Sequence, residues 1–170
     1  MQHLNITRYD IPHIIDVRGY RRGVEIGVDH GYFSYYILKH STLRKLWSVD
    51  SFTGKWSVLE PEVSSMLSEF GDRSEIFKAT SSQAAAFFHS TLTEFDFIYI
   101  DACHKYQSIK QDIHLWWPLL RAGGMIAGHD YIHAGRCGVI QAVDEFAAER
   151  GLEVQVTREP WATWMINLPS

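Results

Sequence analysis

The run Val24-Glu25-Ile26-Gly27-Val28-Asp29-His30-Gly31-Tyr32-Phe33-Ser34 passes from an apolar stretch through an acid and two glycines into a helical pattern. Glycine in such a turn lets the backbone reverse sharply and lets a ligand come close, because no Cβ intrudes. An ordinary strand-to-helix turn favours glycine for the same reasons. A dinucleotide fingerprint set on Gly27 needs glycine at the positions that hold Asp29 and Tyr32, so a pyrophosphate ligand is disfavoured. Asp50 ends the next apolar run, 23 residues after Gly27, where a carboxylate accepts hydrogen bonds from both hydroxyls of a ribose. A solvated loop acid would look the same. In Thr80-Ser81-Ser82-Gln83, Ser81 or Ser82 reads first as a helix cap, at a place that would also lie near an adenine. Asp101 closes the apolar run Phe95–Ile100, and a carboxylate at such a strand end rarely stands without a cation, metal or amine.

These residues share a site only if the ends of the apolar runs are brought together. Seven short runs read as strands: Val24–Val28, Leu46–Val49, Glu75–Lys78, Phe95–Ile100, Met125–Ala127, Leu152–Val156 and Thr163–Leu168. Several are continuous rather than alternating, as in strands covered on both faces. Helical spacing fills the intervals. Tyr106, Ile109, Ile113, Trp116, Trp117 and Leu120 paint one face of His104–Leu120, and Val139, Ile140, Val143, Phe146 and Ala147 do the same up to Arg150. Phe33–Lys39, Leu59–Phe70 and Ser81–His89 read as further helices, while Pro118, Gly123-Gly124 and Gly151 mark stops. The alternation predicts an α/β fold: a doubly wound, Rossmann-like sheet of about seven strands, mostly parallel. Only a turn region around Glu159-Pro160 separates the last two runs, which are expected to form an antiparallel C-terminal hairpin. Ligands of such sheets bind beyond the carboxyl ends of the strands, where Gly27, Asp50 and Asp101 fall.

Composition fits one such domain over residues 1–170, with a short extension at 1–22 and the core at 23–168. The 170 residues are 46% hydrophobic and include six Trp, eight Tyr and nine Phe, enough for a single core. Sixteen basic against twenty acidic residues give a net charge of −4, with no run of Lys or Arg. Nucleic acid and acidic membrane surfaces are therefore not expected as partners. No apolar stretch approaches the ~18 residues of a membrane span, and the N-terminus carries no signal pattern, so a cytoplasmic location is expected. Cys103 and Cys137 form no CxxC arrangement, which argues against a zinc ribbon or disulfide framework.

The ordered segments VEIGxxxGxxS, VDSF, FDFIYIDACHKY and LLRAGGMIAGHDY lie between Gly23 and Leu168. Together they resemble the class I S-adenosylmethionine-dependent methyltransferases. The likeness is greatest to the branch with FDFIFIDGDHxY and PGGxIxGHDY segments. That branch is akin to metal-dependent sugar O-methyltransferases and more distantly to catechol O-methyltransferase. The resemblance implies S-adenosylmethionine as cofactor, with Gly27 and Gly31 near its methionine part, Glu25 supporting the loop and Ser34 at its carboxylate. It places Asp50 on the ribose, Ser51 and Phe52 beside the adenine and Ser82 at the adenine's other edge. In the similar sugar enzymes an acid after the fourth strand and an acidic pair after the fifth bind a divalent cation. A His three residues beyond the first acid is the general base there. Carried over, Asp101 is a metal ligand, His104 the base and Asp130 the second acid of the pair. His129 stands where an acid usually sits, which leaves three readings open: a softer ion such as Mn²⁺ or Zn²⁺, Mg²⁺ held by Asp101 and Asp130 alone, or no metal. Without a metal, Asp101 would hold the cofactor's ammonium group.

Other classes use the same residues. A nicotinamide-dependent oxidoreductase fails at Asp29 and Tyr32. A non-catalytic cofactor-binding protein would keep Gly27, Gly31 and Asp50 without needing His104, and a metallohydrolase would employ Asp101, His104, His129 and Asp130. Cys103 reads as a small residue at a buried edge, His133 as a loop residue that could join the site, and Trp56 as a wall of a substrate pocket. Sugars, phenols and catechols all suit the resemblance as small-molecule acceptors. With about 22 residues before the first strand and a short segment at Ser51–Phe70, either the acceptor is small and exposed or a second subunit completes the pocket, and a homo-oligomer is expected on that ground.

Overall fold

The computed structural model describes residues 1–132 and 137–169. One sheet holds eight strands: β1 (Gln2–His3), β2 (Arg22–Ile26), β3 (Lys45–Asp50), β4 (Ser74–Lys78), β5 (Phe95–Ile100), β6 (Leu120–Gly128), β7 (Val154–Val156) and β8 (Trp164–Asn167). Their spatial order is β1-β7-β8-β6-β5-β2-β3-β4. The helices are α1 (Ile11–Val17), α2 (Tyr32–His40), α3 (Glu60–Leu67), α4 (Ser81–Ser90), α5 (Tyr106–Trp116) and α6 (Val139–Arg150).

β5 shows why a continuous apolar run was the right signal. Phe97 and Tyr99 face a core shared with α1, α2 and α3, built on Ile15, Ile37, Leu38 and Val63. Ile98 and Ile100 face the opposite core with α4, α5 and α6, built on Phe88, Ile113, Trp116 and Phe146. A strand between two helix layers buries both of its faces, so it has no polar side to show.

β2 pairs in parallel with both β3 and β5, and the chain changes direction of strand addition between β2 and β5. This is the switch point at which a doubly wound sheet opens a crevice. Ile26 lies opposite Ile100, the Asp101 N–H donates to the Ile26 carbonyl at 2.8 Å, and the Gly27 N–H donates to Val49 at 2.9 Å. The register therefore brings Gly27, Asp50 and Asp101 side by side. β8 runs antiparallel to both β6 and β7, as expected of the C-terminal hairpin.

The sequence reading differs from the structure before residue 23. Gln2–His3 adds an eighth strand, parallel to β7, and α1 buries Ile11 and Ile15 completely in the core beside α2. A two-residue strand and a seven-residue helix are too short to show a period, so these residues read as an extension although they belong to the fold. Among the described residues no helix is long and apolar enough to cross a membrane.

Candidate active site

A cavity of about 1010 Å³ opens at the carboxyl ends of β2, β3 and β5. Gly27, at φ +89°, forms its floor beside the β5–α5 loop; a Cβ here would run into the Asp101 carbonyl and the Ala102 backbone. Gly31 answers a different demand. It is absent from the described cavity wall, and a Cβ on it would meet Val63 and Met66 of α3 at 2.9 Å. Its glycine lets α2 and α3 close together, a packing demand that the sequence reading did not name.

Asp50 braces the glycine turn. Its Oδ2 accepts from the Val28 N–H at 2.9 Å and the Asp29 N–H at 3.3 Å, and its Oδ1 accepts from the Phe52 N–H at 2.9 Å. A carboxylate offers about four acceptor sites, so Oδ1 keeps capacity for a ligand hydroxyl. Phe52 sits at φ +44°, a conformation that strains an aromatic residue, and is held there by that hydrogen bond and by burial of its ring. Ser51 and Phe52 both line the cavity. Ser82 does not. Thr80 is the residue that caps α4, its hydroxyl accepting from the Gln83 N–H, which leaves Ser82 exposed on the first turn. Thr80 and Ser81 reach the cavity instead, and Ser81 is oriented by donating to buried Asp112 and accepting from Trp116 Nε1 at 2.9 Å.

Glu25 and Ser34 act as a buried pair. The Ser34 hydroxyl donates to the Glu25 carboxylate and lies 2.7 Å from Ser48 Oγ. Burial pushes the Glu25 carboxyl up to about 8, although the Ser34 bond opposes this. Ser34 is fully buried and absent from the cavity wall, so its hydroxyl supports Glu25 and does not meet a ligand carboxylate.

The cation next to Asp101 is a residue the sequence reading passed over. Arg8, from the turn before α1, places Nη2 3.4 Å from Asp101 Oδ2 and stacks its guanidinium 4.0 Å above the Phe33 ring. Arg8 and Tyr9 both line the cavity, so the N-terminal segment forms part of its wall. The Thr7–Asp10 capping box marks a turn in the sequence, but nothing local aims its second residue at a site some 90 positions away.

On the far side of Asp101 lies His104. Its Nε2 is 3.4 Å from Asp101 Oδ1 and 2.9 Å from Asp130 Oδ2. Neither carboxylate lies in line with the ring N–H, so the attraction is that of an ion pair rather than a directed hydrogen bond. The two carboxylates, Asp101 and Asp130, raise His104 to about 10 despite partial burial. Burial would raise the Asp130 carboxyl, but its contacts with His104 and His129 prevail and hold it well below the usual range. The ligand atoms of Asp101, His104 and Asp130 lie within 4.8 Å of one another. His129 is further out, with Nδ1 at 3.6 Å from Asp130 and 3.9 Å from Asp101. The convergent trio thus contains His104 where the sequence reading placed His129. Only Asp101 and His104 of this group line the cavity among the described residues.

Trp56 lines the mouth with Tyr9, His30 and Tyr32. Cys103 is exposed on the cavity wall rather than at a buried edge, and a hydrogen bond with Ser108 draws its thiol down. His133 lies outside the described residues.

A methyltransferase-domain family profile matches residues 24–131, most of the chain, and the chain belongs to that family. Its fold is that of a class I methyltransferase. The O-methyltransferase from Bacillus cereus, solved in complex with S-adenosylhomocysteine, superposes with a TM-score of 0.76 at 17% identity, covering 96% of this chain and 80% of that one. TomG from Streptomyces achromogenes, an O-methyltransferase of tomaymycin synthesis solved with S-adenosylmethionine, gives 0.65 at 17% identity, with 96% and 79% covered. A candidate rRNA methylase from Clostridium thermocellum gives 0.70 at 14%, with 96% and 99% covered. These neighbours share the fold with this chain. No curated protein matches by sequence.

Proposed function

We propose that this methyltransferase takes its methyl group from S-adenosylmethionine and places it on a hydroxyl oxygen of a small-molecule acceptor. The observation that carries the reading is the joining of the Gly27 turn, Asp50 and the Asp101–His104 pair in one cavity. The methyl group leaves a sulfonium, so the leaving group is already activated and the chain has to position, desolvate and deprotonate. Asp50 Oδ1 takes a ribose hydroxyl, Ser51 and Phe52 flank the adenine, and Ser81 rather than Ser82 meets its far edge. His104 takes the acceptor proton as the carbon–oxygen bond forms and the carbon–sulfur bond breaks. The net charge of −4 and the aromatic mouth suit a small acceptor better than a polyphosphate chain.

Two acids and an imidazole converging within 4.8 Å suit a borderline divalent ion such as Mn²⁺ or Zn²⁺ more than Mg²⁺, which prefers oxygen ligands. Asp101, His104 and Asp130 would hold it as the alternative to His104 as base and to Asp101 as ammonium partner, and the ion would then acidify the acceptor hydroxyl itself. Calorimetric titration is expected to show Mn²⁺ or Zn²⁺ binding that weakens more than tenfold in Asp130→Asn. Equal binding to the variant excludes this trio as the site.

S-Adenosylhomocysteine is expected to bind the protein, and Asp50→Ala to abolish that binding, because the change removes both the ribose acceptor and the three backbone bonds of the turn. Calorimetry with NAD as control is the test. An absence of nucleoside binding to the unaltered protein defeats the reading.

A further inference from the structure

We infer that Arg8 is the receptor for the carboxylate at the methionyl end of the cofactor, with Asp101 taking the neighbouring ammonium. The inference rests on the S-adenosylmethionine reading above. Three observations carry it.

The first is a shortage of partners. A guanidinium carries five donors, and burying it is unfavourable unless they are used. Arg8 makes a single long contact, Nη2 to Asp101 at 3.4 Å, while its buried Nε has no hydrogen-bond partner among the described residues. A residue serving only to neutralise Asp101 would gain from a shorter, two-pronged pairing. The poorly matched pair leaves donors free for an anion and leaves the carboxylate of Asp101 free for a cation. An α-amino acid terminus presents both charges on adjacent atoms.

The second is preorganisation. The guanidinium plane is fixed by its stacking 4.0 Å over Phe33. Its backbone is tied down as well: the Arg8 N–H donates to Glu159 Oε1 at 2.8 Å, Leu4 N–H to Val156, and Arg158 N–H to Ile6. The N-terminal strap is thus secured to the β7–β8 end of the sheet, and Arg8 reaches the cavity from it already ordered.

The third is elimination within the site. Ser34, the residue placed at the carboxylate by resemblance, is spent on Glu25 and Ser48. Glu25 is a buried carboxyl raised to about 8 and offers an anion no positive charge. Arg8 is the cationic residue of the cavity wall among the described residues, apart from the histidines.

The test compares three ligands by calorimetry: S-adenosylhomocysteine, its decarboxylated analogue, and 5′-methylthioadenosine, which lacks the whole amino acid end. The unaltered protein is expected to prefer S-adenosylhomocysteine over the decarboxylated analogue by roughly 10- to 100-fold, the range of a charge-assisted, two-pronged contact. Arg8→Met is expected to erase that preference by weakening S-adenosylhomocysteine alone. Its affinity for 5′-methylthioadenosine stays unchanged, which shows that the nucleoside site remains folded. Arg8→Lys restores only part of the preference, since an ammonium lacks the planar fork. Full preference retained in Arg8→Met overturns the assignment and gives Arg8 to the acceptor instead. Equal binding of the two amine ligands by the unaltered protein overturns it too, while leaving the cofactor reading intact. Failure of all three ligands to bind removes both.

Discussion

Gly27→Ala is expected to lower the unfolding midpoint by roughly 10 °C and to abolish binding of S-adenosylhomocysteine. Two separate penalties meet at this position. An L-residue at φ +89° carries conformational strain of about 1–2 kcal/mol. The added Cβ also meets the Asp101 carbonyl and the Ala102 Cα, backbone atoms anchored by the central β2–β5 pairing and unable to swing aside as a side chain would. Overpacking of that kind adds about 1–3 kcal/mol. For a chain of this length each kcal/mol shifts the midpoint by about 2–4 °C. Gly151→Ala is the matched control: Gly151 has φ +63° at the end of α6, and nothing lies within 4 Å of the built Cβ. It should show the strain alone, a drop of a few degrees with ligand binding intact. Similar small drops for both variants would mean that the β5–α5 loop yields, and that Gly27 is not the fixed floor of the cavity.

The part of the site that was legible in the sequence lies where local signals and strand ends coincide. Gly27, Asp50 and Asp101 each follow an apolar run, and parallel pairing aligns the ends of such runs without further information. The two helix layers were legible for a related reason, since the continuous run of β5 requires cover on both faces. Gly31 shows the limit of that logic. A glycine in a strand–helix turn announces a close approach but not of what, and here a Cβ would meet α3. Ser34 shows it again: on a helix, one residue of rotation separates a hydroxyl facing the cavity from one facing Glu25.

Arg8 was invisible for a topological reason. It owes its position to a two-residue strand, β1, which crosses to the opposite end of the sequence to pair with β7. Long-range pairings of such short segments leave no periodicity, so the cation opposite Asp101 could be found only in three dimensions. The same holds for the exchange of His129 by His104 in the convergent trio. Sequence order sets which loops contribute, whereas the distances from Asp130, 2.9 Å to His104 and 3.6 Å to His129, are set only in the folded chain.

His104 links the stability of the free protein to the chemistry proposed for it. Between Asp101 and Asp130 it is raised to about 10, so at neutral pH it is an imidazolium and cannot accept a proton. The ordinary value near 6.5 governs the unfolded chain. A raised folded value stabilises fully below pH ~6.5, and that stabilisation is lost as the pH climbs through 10. The side chain is 41% exposed, so solvent screening holds the contribution to about 1 kcal/mol. His104→Gln should accordingly flatten the decline in unfolding free energy between pH 6.5 and 10. Engagement of Asp101 by the ammonium of S-adenosylhomocysteine withdraws one of the two carboxylates holding the proton. The ring resonances of His104, assigned by comparison with His104→Gln, are expected to titrate at lower pH once that ligand is bound. On the function proposed above, arrival of the cofactor would prepare His104 to take the acceptor proton. With an acceptor in hand, His104→Gln should lower turnover by roughly 10²- to 10⁴-fold while leaving S-adenosylhomocysteine affinity within a few fold. A His104 that titrates near its ordinary value in the free protein, or does not respond to the ligand, rules out this coupling. Unchanged turnover in the variant rules out the base itself.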